Sequence, residues 1–192
     1  MKPSGKELIQ VGIFTAIYVV IYMIFNAAGA FSPVLQVFTG PIATVVNGIT
    51  FMLFLARIHH AVCIEIMALI LSVLMVVMGH HPITLLTALI AGGIAWWLAS
   101  DRSAVTGWRS IFSYAFFSLW PIGAYLPLLF MRDAVLAETA SQMGAEWTRV
   151  YASLMSGPML AVLTVLCFVA GLLGGLLGRS VLQKSFVKAG LA

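Results

Sequence analysis

Six stretches of about twenty residues, each nearly free of charge, constrain this chain more than any other feature. The first runs from about Glu7 to Ala28 and the second from about Val34 to Ala56. The third covers about Ala61 to Met78 and the fourth about Pro82 to Ala99. The fifth covers about Ile111 to Met131 and the sixth about Pro158 to Leu177. Their only formal charges are Glu7, at the edge of the first, and Glu65 in the third. About twenty apolar residues in a helix match the ~30 Å hydrocarbon core of a bilayer. In that core every backbone N–H and C=O needs an internal partner, so such stretches become helices. With 62% hydrophobic residues and 8% charged, the chain lies outside the composition of soluble domains. The expected fold is an all-α integral membrane protein, a single membrane domain over residues 1–192 with six transmembrane helices.

The charges orient it. Lys2, Lys6, Arg57, Arg102, Arg109, Arg179, Lys184 and Lys188 fall on one side of the six spans, and only Arg132 and Arg149 on the other. The positive-inside rule then places both termini in the cytoplasm, with a bacterial cytoplasmic membrane as the expected location. It also explains the basic pI of about 9.3 without nucleic acid or another acidic partner. Lys2 and Lys6 followed by an apolar run have the order of a signal peptide. The run from Leu8 to Phe25 exceeds the ~7–15 residues of a signal core, so a retained first span is expected. Cys63 and Cys167 sit on different spans at different depths, and free buried thiols are expected.

The fifth stretch carries Pro121, Gly123 and Pro127. Each proline removes a donor and clashes with the preceding turn. Such breaks are tolerated in a membrane where the freed carbonyls face protein, water or a ligand. The same stretch holds Trp120 and Tyr125 and leads into Arg132-Asp133, so it reads either as a wall of a small-molecule site or as a kinked packing helix. An irregular stretch with Pro33, Gly40 and Pro41 is expected at the entry to the second span. On the outer side the connections are 29–33, the Gly79-His80-His81-Pro82 turn and the long segment 132–157. There Met143, Trp147, Val150, Tyr151 and Leu154 recur at helical spacing, opposite Glu146 and Arg149. Thr139 and Gln142 have the spacing of a capping box. A short amphipathic helix between the fifth and sixth spans is expected, either as a plain interfacial helix or, the favoured reading, as a lid over an external pocket.

Trp120, Tyr125 and Trp147 offer stacking surfaces. Arg132, Asp133, His80, His81 and Asn26 could hold polar groups of a ligand. His80 and His81, beside Met78, could ligate a soft metal or haem iron; no metal is assigned. His59-His60 reads as a solvated loop. Glu65 is a functional candidate or a partner of Arg57, and Asn47 a helix cross-link. Small residues recur at Gly12 and Ala16, at Ala88 to Ala99, and at Gly171, Gly174, Gly175 and Gly178, where they allow close helix approach. No zinc-protease pair, nucleophile elbow, aspartate pair or phosphate loop occurs, so no enzyme is expected.

GIFTAIY at 12–18, FMLFLARI at 51–58, FSLWPIGAYLPLLFMRDA at 117–134 and GGLLGRSVLQKSFVKAGLA at 174–192 carry a family likeness. With them the chain resembles the S components of energy-coupling factor (ECF) transporters, and more narrowly the bacterial group labelled MptD-like or Trep_Strep. The resemblance implies a six-helix protein that captures a vitamin-like molecule or metal chelate at its outer face. It implies delivery inward with a T component and two ATPases, which would hydrolyse the ATP. Gly12 and Ala16 match the small-residue motif that docks the T component. The ligand is left open, with haem or another tetrapyrrole as one alternative. Other readings are a solitary proton-coupled transporter, with Glu65 and a histidine as relay, and a ligand-free membrane scaffold.

Overall fold

A computed structural model describes residues 3–100 and 107–188, with side chains through 184. Lys2 and Arg102 lie outside the described residues, as does the side chain of Lys188. All the regular structure described is helical. In order, the helices are α1 (Gly5–Gly29), α2 (Pro33–Arg57), α3 (Val62–Val77), α4 (Ile83–Ala99) and α5 (Trp108–Phe117). A 3₁₀ segment (Trp120–Ala124) follows, then α6 (Pro127–Phe130), α7 (Arg132–Met143), α8 (Ala145–Leu154) and α9 (Gly157–Lys188).

Six helices close a ring in the order α1, α2, α9, α5, α4, α3 and back to α1. The outer surface is rich in large apolar side chains, and several polar groups lie within the apolar core. Ile9, Ile13, Ile17, Val20 and Ile24 of α1 are exposed, while Thr15, Asn47, Ser72, Ser113 and Ser118 are buried. An apolar outer surface of this kind fits a lipid solvent. The buried groups bond across helices: Asn47 Nδ2 donates to the Tyr18 carbonyl at 3.2 Å and Ser113 Oγ to that of Ala95 at 2.8 Å. Asn47 is thus the cross-link its sequence position indicates. Neither cysteine forms a disulfide, and both are buried.

Length and composition qualify α1, α2 and α9 to cross a membrane, with α3 and α4 as shorter apolar helices. The fifth stretch is not one helix. It stops at Phe117, turns through the 3₁₀ segment and resumes for a single turn at Pro127. The expected irregularity at Pro33–Pro41 is absent. Pro33 opens α2, where a missing N–H is harmless, and Pro41 is carried inside the helix. The sixth stretch runs well past Leu177, because nothing in the polar tail breaks the helix.

The glycines of α9 set the closest approaches. A Cβ on Gly48 of α2 would lie 2.1 Å from the Gly174 carbonyl carbon, and one on Gly178 would lie 2.4 Å from the Gly48 oxygen. Gly171 and Gly175 instead face Ala115 and Ile111 of α5. The stripe therefore serves two neighbours at once. Gly12 differs: a Cβ there meets nothing within 4 Å, and both Gly12 and Ala16 are exposed.

Candidate functional site

The site begins with the break in the fifth stretch. Thr87 Oγ1 of α4 donates to the Trp120 carbonyl at 2.9 Å. Gly123 packs so tightly on α4 that a Cβ would lie 2.6 Å from Thr84 Cα and 2.3 Å from Thr87 Oγ1. Ser118 Oγ lies 2.7 Å from the Ala115 carbonyl and 3.0 Å from that of Cys167 in α9. The break is thus anchored to both neighbouring helices, and the chain leaves it sideways, across the end of the ring.

That end holds a cavity of about 470 Å³. Tyr22 and Asn26 of α1, Gln36 of α2, and Met75 and Met78 at the end of α3 form its walls. The turn from Gly79 to Pro82 and Tyr125 beside the break continue them. Its cover is α7, through Ala134, Val135, Glu138, Thr139 and Gln142, with Tyr151 reaching in from α8. Asn26 is held on both sides: its Nδ2 donates to the Tyr22 carbonyl at 3.0 Å, and its Oδ1 accepts from Gln36 Nε2 at 3.4 Å. The turn depends on Gly79, whose φ of 99° favours glycine.

Each imidazole is oriented by its backbone. His80 Nδ1 lies 3.2 Å from the Met75 carbonyl, which requires a proton on that nitrogen. His81 Nδ1 accepts the Ile83 N–H at 3.2 Å, which requires the proton on Nε2. Phe130 stands edge-on to the His81 ring, with centroids 6.0 Å apart. Burial pushes the Tyr151 phenol up to about 12, against the opposing effect of Arg132, so it stays a neutral donor.

The cover is two helices rather than one. Gly144, at φ 89°, separates α7 from α8. The Thr139–Gln142 capping box does not form, because Thr139 lies inside α7 and its Oγ1 donates back to the Val135 carbonyl at 2.7 Å. α8 is amphipathic as expected: Trp147 stacks on Tyr151 at 5.1 Å, while Glu146 and Arg149 pair in solvent at 3.5 Å. No residue of α7 is buried.

Of the residues singled out by sequence, Asn26, His80, His81 and Tyr125 line the cavity. Four do not. Trp120 is 1% exposed and stands behind the wall, its ring 5.8 Å from that of Tyr22. Arg132 turns away, with Nη1 and Nη2 donating to the carbonyls of Met155 and Ala152 in and just after α8. Asp133 is exposed outside the lining, and Trp147 sits beneath α8. Tyr22, Gln36, Met75 and Glu138 carried no local signal of a site, because the cavity is assembled from five separate segments.

At the opposite end His60 is not a solvated loop residue. Glu7 is nearly buried, accepts from the backbone N–H groups of His59 at 2.7 Å and His60 at 2.8 Å, and meets His60 Nδ1 at 2.9 Å. Glu7 also completes a capping box with Ser4. Glu65 faces α4, where a Cβ on Gly92 would come within 2.4 Å of its Oε2. No Glu65–Arg57 ion pair occurs among the described residues. Among the described residues no hydrogen bond joins Glu65 to a histidine: His80 and His81 lie beyond the far end of α3, and His60 is engaged by Glu7.

A family model for a hypothetical bacterial integral membrane protein (Trep_Strep) matches residues 5–188. No curated protein and no solved structure matches the chain.

Proposed function

We propose that this chain, which belongs to the Trep_Strep family of bacterial integral membrane proteins, is the substrate-capturing membrane subunit of an ECF-type importer. In this reading all six apolar segments span the bacterial cytoplasmic membrane, with both termini inside and the cavity facing out. The subunit has no enzymatic activity of its own. A micronutrient-sized molecule enters beneath α7, and a T component with two ATPases drives its delivery inward.

The observation that carries the reading is the covered cavity of about 470 Å³ at one end of a closed helical ring. Pockets of this size suit small molecules. A second feature supports it. The α9 glycines are used in internal contacts, whereas Gly12 and Ala16 lie open on an apolar face of α1. A small-residue surface exposed to lipid suits close docking of another membrane helix. The proton-coupled alternative loses support with its relay, and a ligand-free scaffold has no use for the cavity.

The test is to purify the chain in detergent and identify co-purifying small molecules by mass spectrometry, alongside an absorbance spectrum. A defined, non-absorbing molecule supports capture. A Soret band lost in His80→Ala would identify a haem-type ligand. An empty protein that also fails to co-purify with any T component would overturn the reading.

A further inference from the structure

We infer that the cavity takes a small organic cation and that Glu138 recognises its charge; this rests on the capture reading above. Among the described lining residues Glu138 is the one with a fixed charge, and no lysine or arginine joins it. The nearest basic residue in sequence, Arg132, directs both terminal nitrogens at α8 carbonyls instead. Glu138 itself is lightly engaged: its described partner is Gln142, one turn on, at 3.4 Å. An anion entering this cavity would lose water without meeting a charged donor, which is strongly unfavourable. A cation would meet a carboxylate.

The neutral groups agree with that sign. The Nδ1 of His81 is occupied by the Ile83 N–H. Tyr22, Tyr125 and Tyr151 supply aromatic rings to the lining, and ring faces attract organic cations. Met75 and Met78 add polarizable surface for an apolar body. The same balance disfavours haem, whose propionates would need cationic partners.

The test uses equilibrium dialysis of the full chain in detergent with three aromatic probes: phenyltrimethylammonium, benzyl alcohol and benzoate. The cation should bind in preference to the other two. Glu138→Gln should weaken it about fivefold to tenfold, as expected for one partly solvated charge pair. Ala134→Trp, which fills the cavity from α7, should abolish it. Benzoate binding as tightly as the cation, or an unchanged affinity in Glu138→Gln, would overturn the charge assignment. If Ala134→Trp blocked benzoate or benzyl alcohol in that case, the capture reading would survive alone. If no probe bound and Ala134→Trp left the co-purifying molecules unchanged, both would fall.

Discussion

Arg132 separates two accounts of how this region works. As a ligand contact it would meet the substrate; in the structure it ties the start of α7 to the end of α8 through the carbonyls of Met155 and Ala152. Carbonyls at a helix C-terminus lack intrahelical partners and carry partial negative charge, so a guanidinium there is doubly favoured. Each hydrogen bond to a charged group contributes about 1.5–3 kcal/mol. Arg132 is half-buried, and discounting for solvent leaves about 2–3 kcal/mol for the pair. Arg132→Ala should therefore raise the opening equilibrium of the cover about thirty- to a hundred-and-fiftyfold. Arg132→Lys keeps the charge but not the fork, and should fall between. The assay is amide hydrogen exchange across residues 132–154 in ligand-free protein, because local opening sets the exchange rate. Faster exchange in α7 and the end of α8, without change in α1 to α4, is the expected result. Unchanged exchange together with lost ligand affinity would refute the tether and restore Arg132 as a direct contact.

Gly48→Ala places a methyl group 2.1 Å from the Gly174 carbonyl carbon; it should destabilise by about 1–3 kcal/mol or more, and an unchanged melting midpoint in detergent would contradict the close α2–α9 contact. Gly12→Leu enters open space, so stability should stay within about 0.5 kcal/mol while T-component co-purification is lost; intact co-purification would remove the docking face. Glu7→Gln sets an amide against the backbone donors of Ser4, His59 and His60. It should cost about 1–3 kcal/mol and speed proteolysis in the turn at 58–61, and equal cleavage in both proteins would show that the clamp is dispensable.

The long helices were legible because α1 to α4 are continuously apolar stretches of helical length. Their ends agree with the apolar stretches to within two residues. The cover was legible only in part. Of the stripe, Trp147, Tyr151 and Leu154 turn inward on α8, whereas Met143 closes α7 and is exposed, because a positive φ at Gly144 separates the two helices. Thr139 and Gln142 have the spacing of a cap yet lie mid-helix, where the threonine hydroxyl bonds its own helix. His60 was misread because its partner, Glu7, is 53 residues away. Trp120 was misplaced by its aromatic character: its ring fills the core behind Tyr22 rather than the cavity.

The prolines of the fifth stretch give the site its division between rigid and yielding parts. A continuous helix there would have carried the chain straight out of the ring. The break is instead held to α4 by Thr87 and the Gly123 contact, and to α9 by Ser118. Interior packing of that kind resists small displacements, so the wall formed by Tyr22 and Tyr125, backed by Trp120, is stiff. The chain then crosses the end of the ring as α7, which buries no residue and is tied at its start by Arg132 and jointed at its end by Gly144. Few buried contacts mean a low free energy of local opening. A stiff wall preserves the arrangement of ligand groups, and a weakly packed cover lets a ligand enter without disturbing the bundle. A uniformly packed six-helix ring would supply the first and forbid the second, and for this reason the broken segment, rather than any single polar residue, is the feature on which the proposed capture depends.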